Sequence, residues 1–406
     1  MKKILSIIIS IALCIVSCAV FSACNDAGDN SGVKLIQGAD LVSQTKPMVK
    51  WEGRYAYFEA DEESPARVTQ YHSATGFTID FTGTELYVEF DSTVSGSNAN
   101  REPYFNVAVD GEILPTVRQD RTFKLTGGVE RVLVVGGLTN GRHTVKCLKM
   151  SEPYDATVSV LSFETDGMFI ERNAFDDEGS LRFMFVCASG GSGHGALGKQ
   201  GQGRNTANSS ALHSFNYLTA RMFGADVQYV GNSGWGVSFP SGKSVYDVLD
   251  YTGITTSNNV SGAKTTPTWN HAQWIPDVII FNIGGNDTTQ NNFNLSTYNQ
   301  EVVAMVEKLH TLYPNAYMVW THTNSKAGNY AMGALTDAGV VGAGYLKEVI
   351  IPQVGDDGTV GANNHNSLYT HISTAQIIAD ALKSNWGFSA IEQNIVYEDY
   401  QGQIKK

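Results

Sequence analysis

The chain has 406 residues, more than one ordinary hydrophobic core supports and enough for two domains. Its formal net charge is −12 and no basic patch interrupts that balance, which excludes a nucleic-acid partner and favours neutral or cationic ones. Of five cysteines only Cys147 and Cys187 follow Cys24, and they fall in different predicted domains. A disulfide scaffold is thereby excluded, and both are expected to be buried free thiols.

Residues 1–23 read as a leader. Lys2 and Lys3 precede an apolar run from Ile4 to Val20, too short and wrongly flanked for a stable membrane span. The run closes on Phe21-Ser-Ala-Cys24, and small polar residues follow. This resembles a bacterial lipoprotein signal in which Cys24 becomes the lipidated first residue; Ile15-Val-Ser-Cys18 fits the same pattern and stays open. Export follows on either reading, to the cell surface on a lipid or as a secreted protein. Loss of the leader takes the net charge to −14 and leaves residues 24–33 as a polar tether.

Residues 34–168 carry a period of two. Phe77, Ile79 and Phe81 alternate with polar residues, and after Gly83 the alternation resumes at Leu86, Val88 and Phe90. Tyr104–Val109 runs into Asp110-Gly111, and Asn140-Gly141 separates two further apolar runs, so both dipeptides predict hairpins. Many short strands without helical periodicity predict an all-β sandwich of jelly-roll type.

Residues 178–395 change texture to alternating strands and helices. Strands are predicted at 181–187, 227–230, 278–283 and 316–321, and helices at 208–223, 298–312 and 367–384. Strands that are apolar almost throughout, alternating with helices, predict a parallel sheet covered on both faces. The Thr-, Ser- and Asn-rich stretch 241–273 reads as a long loop beside the site.

The chemistry concentrates where strands end. Phe183-Met-Phe-Val-Cys-Ala-Ser189 is a buried strand running into a serine, followed by Gly190-Gly-Ser-Gly-His-Gly195. A serine on a sharp turn at the carboxyl end of a parallel strand is where hydrolases place a nucleophile. Asn232-Ser-Gly-Trp-Gly236, Pro276-Asp-Val-Ile-Ile-Phe-Asn-Ile-Gly-Gly-Asn-Asp287 and Asn363-Asn-His365 follow in order.

These four segments resemble the SGNH (GDSL-like) hydrolases. With the sandwich, through Pro103–Gly111, Leu138–Val145 and Lys149-Met-Ser-Glu152, they resemble carbohydrate esterase family 2, acetyl esterases of plant-polysaccharide degraders. The resemblance implies a jelly-roll domain followed by a flavodoxin-like SGNH domain, and a Ser-His carboxylic ester hydrolase that needs no cofactor or metal. It assigns Ser189 as nucleophile, with Ser192 as the local competitor, and His365 as base, with His371 as the alternative register. The Ser189 amide, a glycine amide (Gly236 before Gly234) and the Asn286 side chain become the oxyanion donors, while Asp287 is structural. Trp235 is the first candidate for stacking on a sugar, ahead of Trp269, Trp274 and Tyr298, and His194 reads as a loop residue.

The chain departs from the family in three places: Ala188 precedes the serine, Asn366 follows the histidine, and Ala362 and Asn363 occupy the positions of the acid. The resemblance implies a dyad whose imidazole is held by a main-chain carbonyl, and the Asn363 side-chain carbonyl is the other expected substitute that could orient His365. The reading is therefore a lipid-anchored esterase that deacetylates polysaccharides such as xylan and glucomannan through an acetyl-enzyme. The rivals are a catalytically weakened carbohydrate-binding lipoprotein of the same fold and an SGNH esterase acting on another acyl ester.

Overall fold

The computed structural model describes residues 32–172, 180–238 and 242–392. The expected leader, both lipidation candidates and nearly all of the tether lie outside them. The amino-terminal strands are β1 Leu35–Gln37, β2 Val49–Glu52, β3 Tyr55–Phe58, β4 Arg67–Gln70, β5 Gly76–Gly83 and β6 Leu86–Val94. They continue with β7 Tyr104–Val109, β8 Thr122–Lys124, β9 Gly128–Val135, β10 Gly141–Lys149, β11 Ala156–Thr165 and β12 Met168–Ile170. They form two antiparallel six-stranded sheets. One has the order β3-β4-β11-β6-β9 with β1 on β11; the other has β12-β5-β10-β7-β8 with β2 on β5. The alternation read from the sequence is the reason for the sandwich: Phe77, Ile79 and Phe81 of one sheet and Leu86, Val88 and Phe90 of the other all enter its core. Phe77 meets Phe163 edge to face at 4.8 Å across the sheets. Cys147 is free and buried here, as Cys187 is in the second layer.

Neither predicted hairpin forms as a tight one. Asp110 and Gly111 do take the left-handed conformations of a turn, but the next strand, β8, begins only at Thr122. Pro115, which has no N–H to offer β7, lies in between. Asn140 and Gly141 lack the positive φ a two-residue hairpin turn requires, and β9 and β10 belong to opposite sheets. The sandwich also runs two residues past the expected end at 168, because β12 pairs with β5.

The second layer contains β13 Arg182–Cys187, β14 Asp226–Gly231, β15 Val278–Asn282, β16 Tyr317–His322 and β17 Leu346–Ile350, all parallel, in the order β14-β13-β15-β16-β17. This is the 2-1-3-4-5 order of flavodoxin-like sheets, whose binding crevice opens between the first and third strands at their carboxyl ends. The helices are α1 Phe215–Met222, α2 Val260–Ala263, α3 Leu295–Leu312, α4 Lys326–Asp337 and α5 Leu368–Trp386. Phe183, Phe185 and Cys187 enter a core with α1 and α5, while Met184 and Val186 enter the opposite one with α3 and α4. Burial on both faces explains the unbroken apolar run. Ser214, Asn294, Ser325 and Ser367 cap α1, α3, α4 and α5 through side-chain oxygens, each stabilising by about 1 kcal/mol.

The helix predicted from 208 starts instead at Phe215, where Ser214 supplies the cap; two single turns precede it. No element is expected between Thr321 and Ser367, yet α4 and β17 form there. Most of the buried face of α4 is Ala327, Gly328, Ala331 and Ala334, too small to register as an apolar stripe, and β17 is an edge strand that buries only Leu346 and Val349.

The two layers share buried polar seams. Arg54, fully buried, leaves the sandwich to donate to Gln228 Oε1 and to the Leu249 and Tyr251 carbonyls. Ala74, Leu148 and Met150 of the sandwich join the same core as α1 and α5.

Candidate active site

The strand β13 ends one ladder bond beyond Cys187, with the Ala188 amide donating to the Asn282 carbonyl at 3.0 Å. Ser189 follows on a compact loop whose next turn is closed by Ser192 N–H to the Ala188 carbonyl at 3.2 Å and His194 N–H to the Ser189 carbonyl at 3.3 Å. Ser189 is half-buried and borders a cavity of about 170 Å³ lined mainly by polar groups, among them Asn282, Asn286, Thr321 and His322. Its hydroxyl and its amide have no partner among the described contacts. Ser192 is in a different position: its hydroxyl is buried and lies 3.0 Å from Glu152 Oε2. Between the two serines, the geometry favours Ser189 as the available hydroxyl.

Asn286 borders the same cavity and donates one N–H to the Trp235 carbonyl at 2.7 Å, which fixes the amide and leaves its second N–H. Asp287 is buried and accepts from the amides of Val237 and Ser238, at 3.0 and 2.8 Å. It is structural, and burial raises its pKa from the ordinary carboxylate value.

The turn expected to supply an oxyanion donor departs from two expectations. The Gly236 amide donates to the Lys243 carbonyl at 3.1 Å, so it is not free to serve an oxyanion. A Cβ there would run into the Asp287 carboxylate, which is why the position is glycine. Gly234, exposed and at φ +76°, keeps an amide without a partner among the described residues; it is the glycine donor the geometry leaves. Trp235 is fully buried, and its indole donates to Asn258 Oδ1 at 2.7 Å. It therefore holds the turn and Asn286 in place and does not stack on a sugar. Tyr298 and Trp269 are buried too; only Trp274 of the four aromatic candidates is half-exposed.

The two histidine alternatives separate cleanly. His371 is buried inside α5 against Phe215, and its Nδ1 accepts the Phe215 amide at 3.1 Å, capping α1. Burial drives its pKa down to about 3. His365 is half-buried on the loop before α5, which is tied to the Ser189 loop by the Ala362 amide donating to the Gly195 carbonyl at 2.9 Å. Its Nδ1 donates to the Asn363 carbonyl at 2.8 Å, so the main chain orients the ring, not the Asn363 side chain. That bond leaves Nε2 as the unprotonated nitrogen. No hydrogen bond joins His365 Nε2 to Ser189 Oγ, which are brought to adjoining loops. Catalytic contacts of this kind are commonly long before substrate binds. Burial, then the neighbouring His194, lowers the His365 pKa, while the Asn363 carbonyl and Glu152 act against that shift.

Two residues at this site lack a role in the sequence reading. His194, expected to be a plain loop residue, packs against His365 with ring centroids 4.2 Å apart and planes tilted by 39°. Glu152, three residues past β10, is almost fully buried, with Oε2 2.8 Å from the Ser233 amide and Oε1 3.1 Å from His194 Nδ1. The available signal was charge: Lys149, Glu152 and Asp155 cluster just where the apolar alternation of the sandwich stops.

Residues 59–170 match the family described as "Carbohydrate esterase 2 N-terminal". Comparison with curated protein sequences yields no match. Among solved structures, a family two carbohydrate esterase from Clostridium thermocellum in complex with cellohexaose is similar at TM-score 0.69 and 22% identity, over 84% of this chain and 100% of that one. One from Cellvibrio japonicus is similar at TM-score 0.69 and 20% identity, over 86% and 97%. An acetyl xylan esterase from the rumen bacterium Butyrivibrio proteoclasticus is similar at TM-score 0.69 and 16% identity, over 88% and 100%. At these identities the likeness establishes a common fold across both layers.

The buried Glu152 makes acid stability testable. Its donors, led by His194 and Arg204, hold its pKa near about 2 against an ordinary 4.5, overcoming desolvation. A depressed folded-state pKa means stability present in full above 4.5 and lost as pH falls toward 2, on the order of 3 kcal/mol. Urea unfolding across pH 6 to 3 should show a steep loss in wild type and a shallower one in Glu152→Gln; equal slopes would place the acid-sensitive group elsewhere.

Proposed function

We propose that this chain, which carries the N-terminal domain and the overall fold of carbohydrate esterase family 2, is a serine esterase that removes O-acetyl groups from acetylated plant polysaccharides such as xylan and glucomannan. The observation that carries it is the convergence of an unengaged Ser189 and a fixed Asn286 amide on one small polar cavity at the switch point of the sheet. A cavity of about 170 Å³ supports a short acyl group over a long chain. The relatives, one bound to cellohexaose and one described as an acetyl xylan esterase, support a carbohydrate ester.

In this reading Ser189 Oγ attacks the acetyl carbonyl while His365 Nε2 takes its proton. The oxyanion that develops is met by the Ser189 and Gly234 amides and the free N–H of Asn286, donors held in place before the reaction starts. Collapse expels the sugar oxygen, which takes the proton back from His365. Water, activated by the same imidazole, then releases acetate from Ser189. The sandwich would flank the cleft in which the polysaccharide lies. The reading includes export and a lipid attached at Cys24, which rests on the sequence of residues 1–31 alone.

Wild-type protein should turn over 4-nitrophenyl acetate and release acetate from acetylated xylan or glucomannan, and Ser189→Ala should not. His365→Ala should lower kcat roughly 10²–10⁴-fold, whereas His371→Ala should register chiefly as a lower melting temperature through loss of the α1 cap. A binding protein without catalysis would show no turnover in wild type; preference for a long-chain ester would indicate a different acyl substrate.

The acidic limb of kcat/KM reports protonation of the base in the free enzyme. Because the His365 pKa is lowered from 6.5, activity should persist as pH falls to 6.5 and decline only below it. A midpoint above 7 would contradict the buried, carbonyl-held imidazole.

Replacing Cys24 with Ala in the native host should move the protein from the membrane fraction to the medium. Unchanged membrane retention would show that Cys24 does not carry the attachment and would point to Cys18.

A further inference from the structure

Glu152 belongs to the sandwich by sequence, yet its carboxylate works inside the second layer. It is 1% exposed. Oε2 accepts from the Ser233 amide at 2.8 Å and faces Ser192 Oγ at 3.0 Å; Oε1 faces His194 Nδ1 at 3.1 Å and Arg204 Nη2 at 3.4 Å. The carboxylate is itself held in place. The Glu152 amide donates to Asp155 Oδ2 at 3.0 Å, and both terminal nitrogens of the Arg204 guanidinium grip Asp155.

The contact continues to the base. Asn363 Nδ2, which can only donate, lies 3.1 Å from His194 Nε2. His194 Nε2 is therefore the acceptor, and Nδ1 carries the proton shared between Glu152 and Ser233 Oγ, the latter at 2.9 Å. Asn363 is left-handed, with φ +54°, and its carbonyl turns to His365 Nδ1 at 2.8 Å. The His194 ring also packs on the His365 ring, and its own amide closes the loop of Ser189.

We propose that Glu152 is a positioning residue for the esterase, acting through His194 and Asn363 on His365 and through the Ser233 amide on the oxyanion turn. One carboxylate from the sandwich thus sets the nucleophile loop, the donor turn and the base together. The proposal rests on the esterase reading for its kinetics, though not for the geometry it asserts.

Glu152→Gln places an amide NH₂ against either the Ser233 and Ser192 donors or the His194 donor, so one of the two arms must open. Turnover of 4-nitrophenyl acetate should fall about 10²-fold in kcat with little change in KM, the cost of a misplaced reacting group. His194→Phe keeps a ring against His365 and leaves the Glu152–Arg204–Asp155 tie intact, and it should show a similar drop. The double variant should be no worse than the poorer single one, because the residues act as a unit. If Glu152→Gln fails to fold, His194→Phe decides. Nitrogen-15 spectra of histidine-labelled protein provide a readout without substrate: His365 should be the Nδ1–H tautomer in wild type and a mixture in both variants. Folded variants with wild-type kcat, or losses that simply add, would overturn the proposal, as would an unaltered His365 tautomer. If wild type hydrolyses no acyl ester yet the tautomer responds as stated, the esterase reading falls and the positioning role stands.

Discussion

A carboxylate removed from water stays ionised only where donors replace the water, and Glu152 satisfies that condition with four residues from three places in the chain. The donors are Ser192 and His194 on the Ser189 loop, Arg204 beyond it, and Ser233 on the turn that carries Gly234. Their cost of separation is what makes the arrangement rigid. Any one of them moving away strands a buried charge, so the loops that carry the reacting groups are held against a residue belonging to neither. The low pKa of Glu152 is the electrostatic expression of the same constraint.

That constraint gives the sandwich a purpose beyond filling space. Arg54 reaches across the seam at one point and Glu152 at another, and Lys50 pairs with Asp226 at 2.8 Å at a third. A parallel sheet presents only loops at its carboxyl end, and loops alone make an imprecise site. Here the Ser189 loop is backed by the sandwich through Glu152, and the Met150 carbonyl accepts the Ala211 amide at 2.9 Å just behind it. Both layers therefore contribute to the site, even though every proposed reacting group comes from the second.

The elements with strong periodicity were legible in the sequence, and so were the positions where strands end. β13, β15 and β16 alternate large apolar residues between two covered faces, which gives a run readable without any partner. Ser189 and Asn286 stand shortly after such strands; local pattern singled out the serine, and the family resemblance singled out the asparagine. What was not legible depends on contacts distant in sequence. Glu152 lies 37 positions from Ser189 and its role exists only once the layers close. Gly234 and Gly236 look equivalent in a Gly-Trp-Gly turn, and only contacts distant in sequence, the Lys243 carbonyl and the Asp287 carboxylate, distinguish them. Trp235 had the composition of a sugar platform, but Asn258 claims its indole from inside the core. Helix α4 was missed for a different reason, since small residues bury a face without a hydrophobic signal.

The missing acid is explained by the same contacts. A main-chain carbonyl fixes the tautomer of His365 as an aspartate would, but it supplies only a partial charge to the imidazolium that forms during attack. In the proposed mechanism the base remains neutral to lower pH chiefly because burial, and then the neighbouring His194, disfavour its charged form, against which the carbonyl acts only in part. An aspartate at 363 would not simply restore a triad. Its side chain would face His194 Nε2, which needs a donor, and an ionised carboxylate has none. To accept the aspartate, His194 would have to take up a second proton beside His365, and the added positive charge would oppose protonation of the base. The asparagine donates to His194 while its left-handed backbone presents the carbonyl to His365, so one residue meets both requirements. In this chain the amide at 363 is the chemically consistent partner of His194, and the carboxylate that completes the network is Glu152.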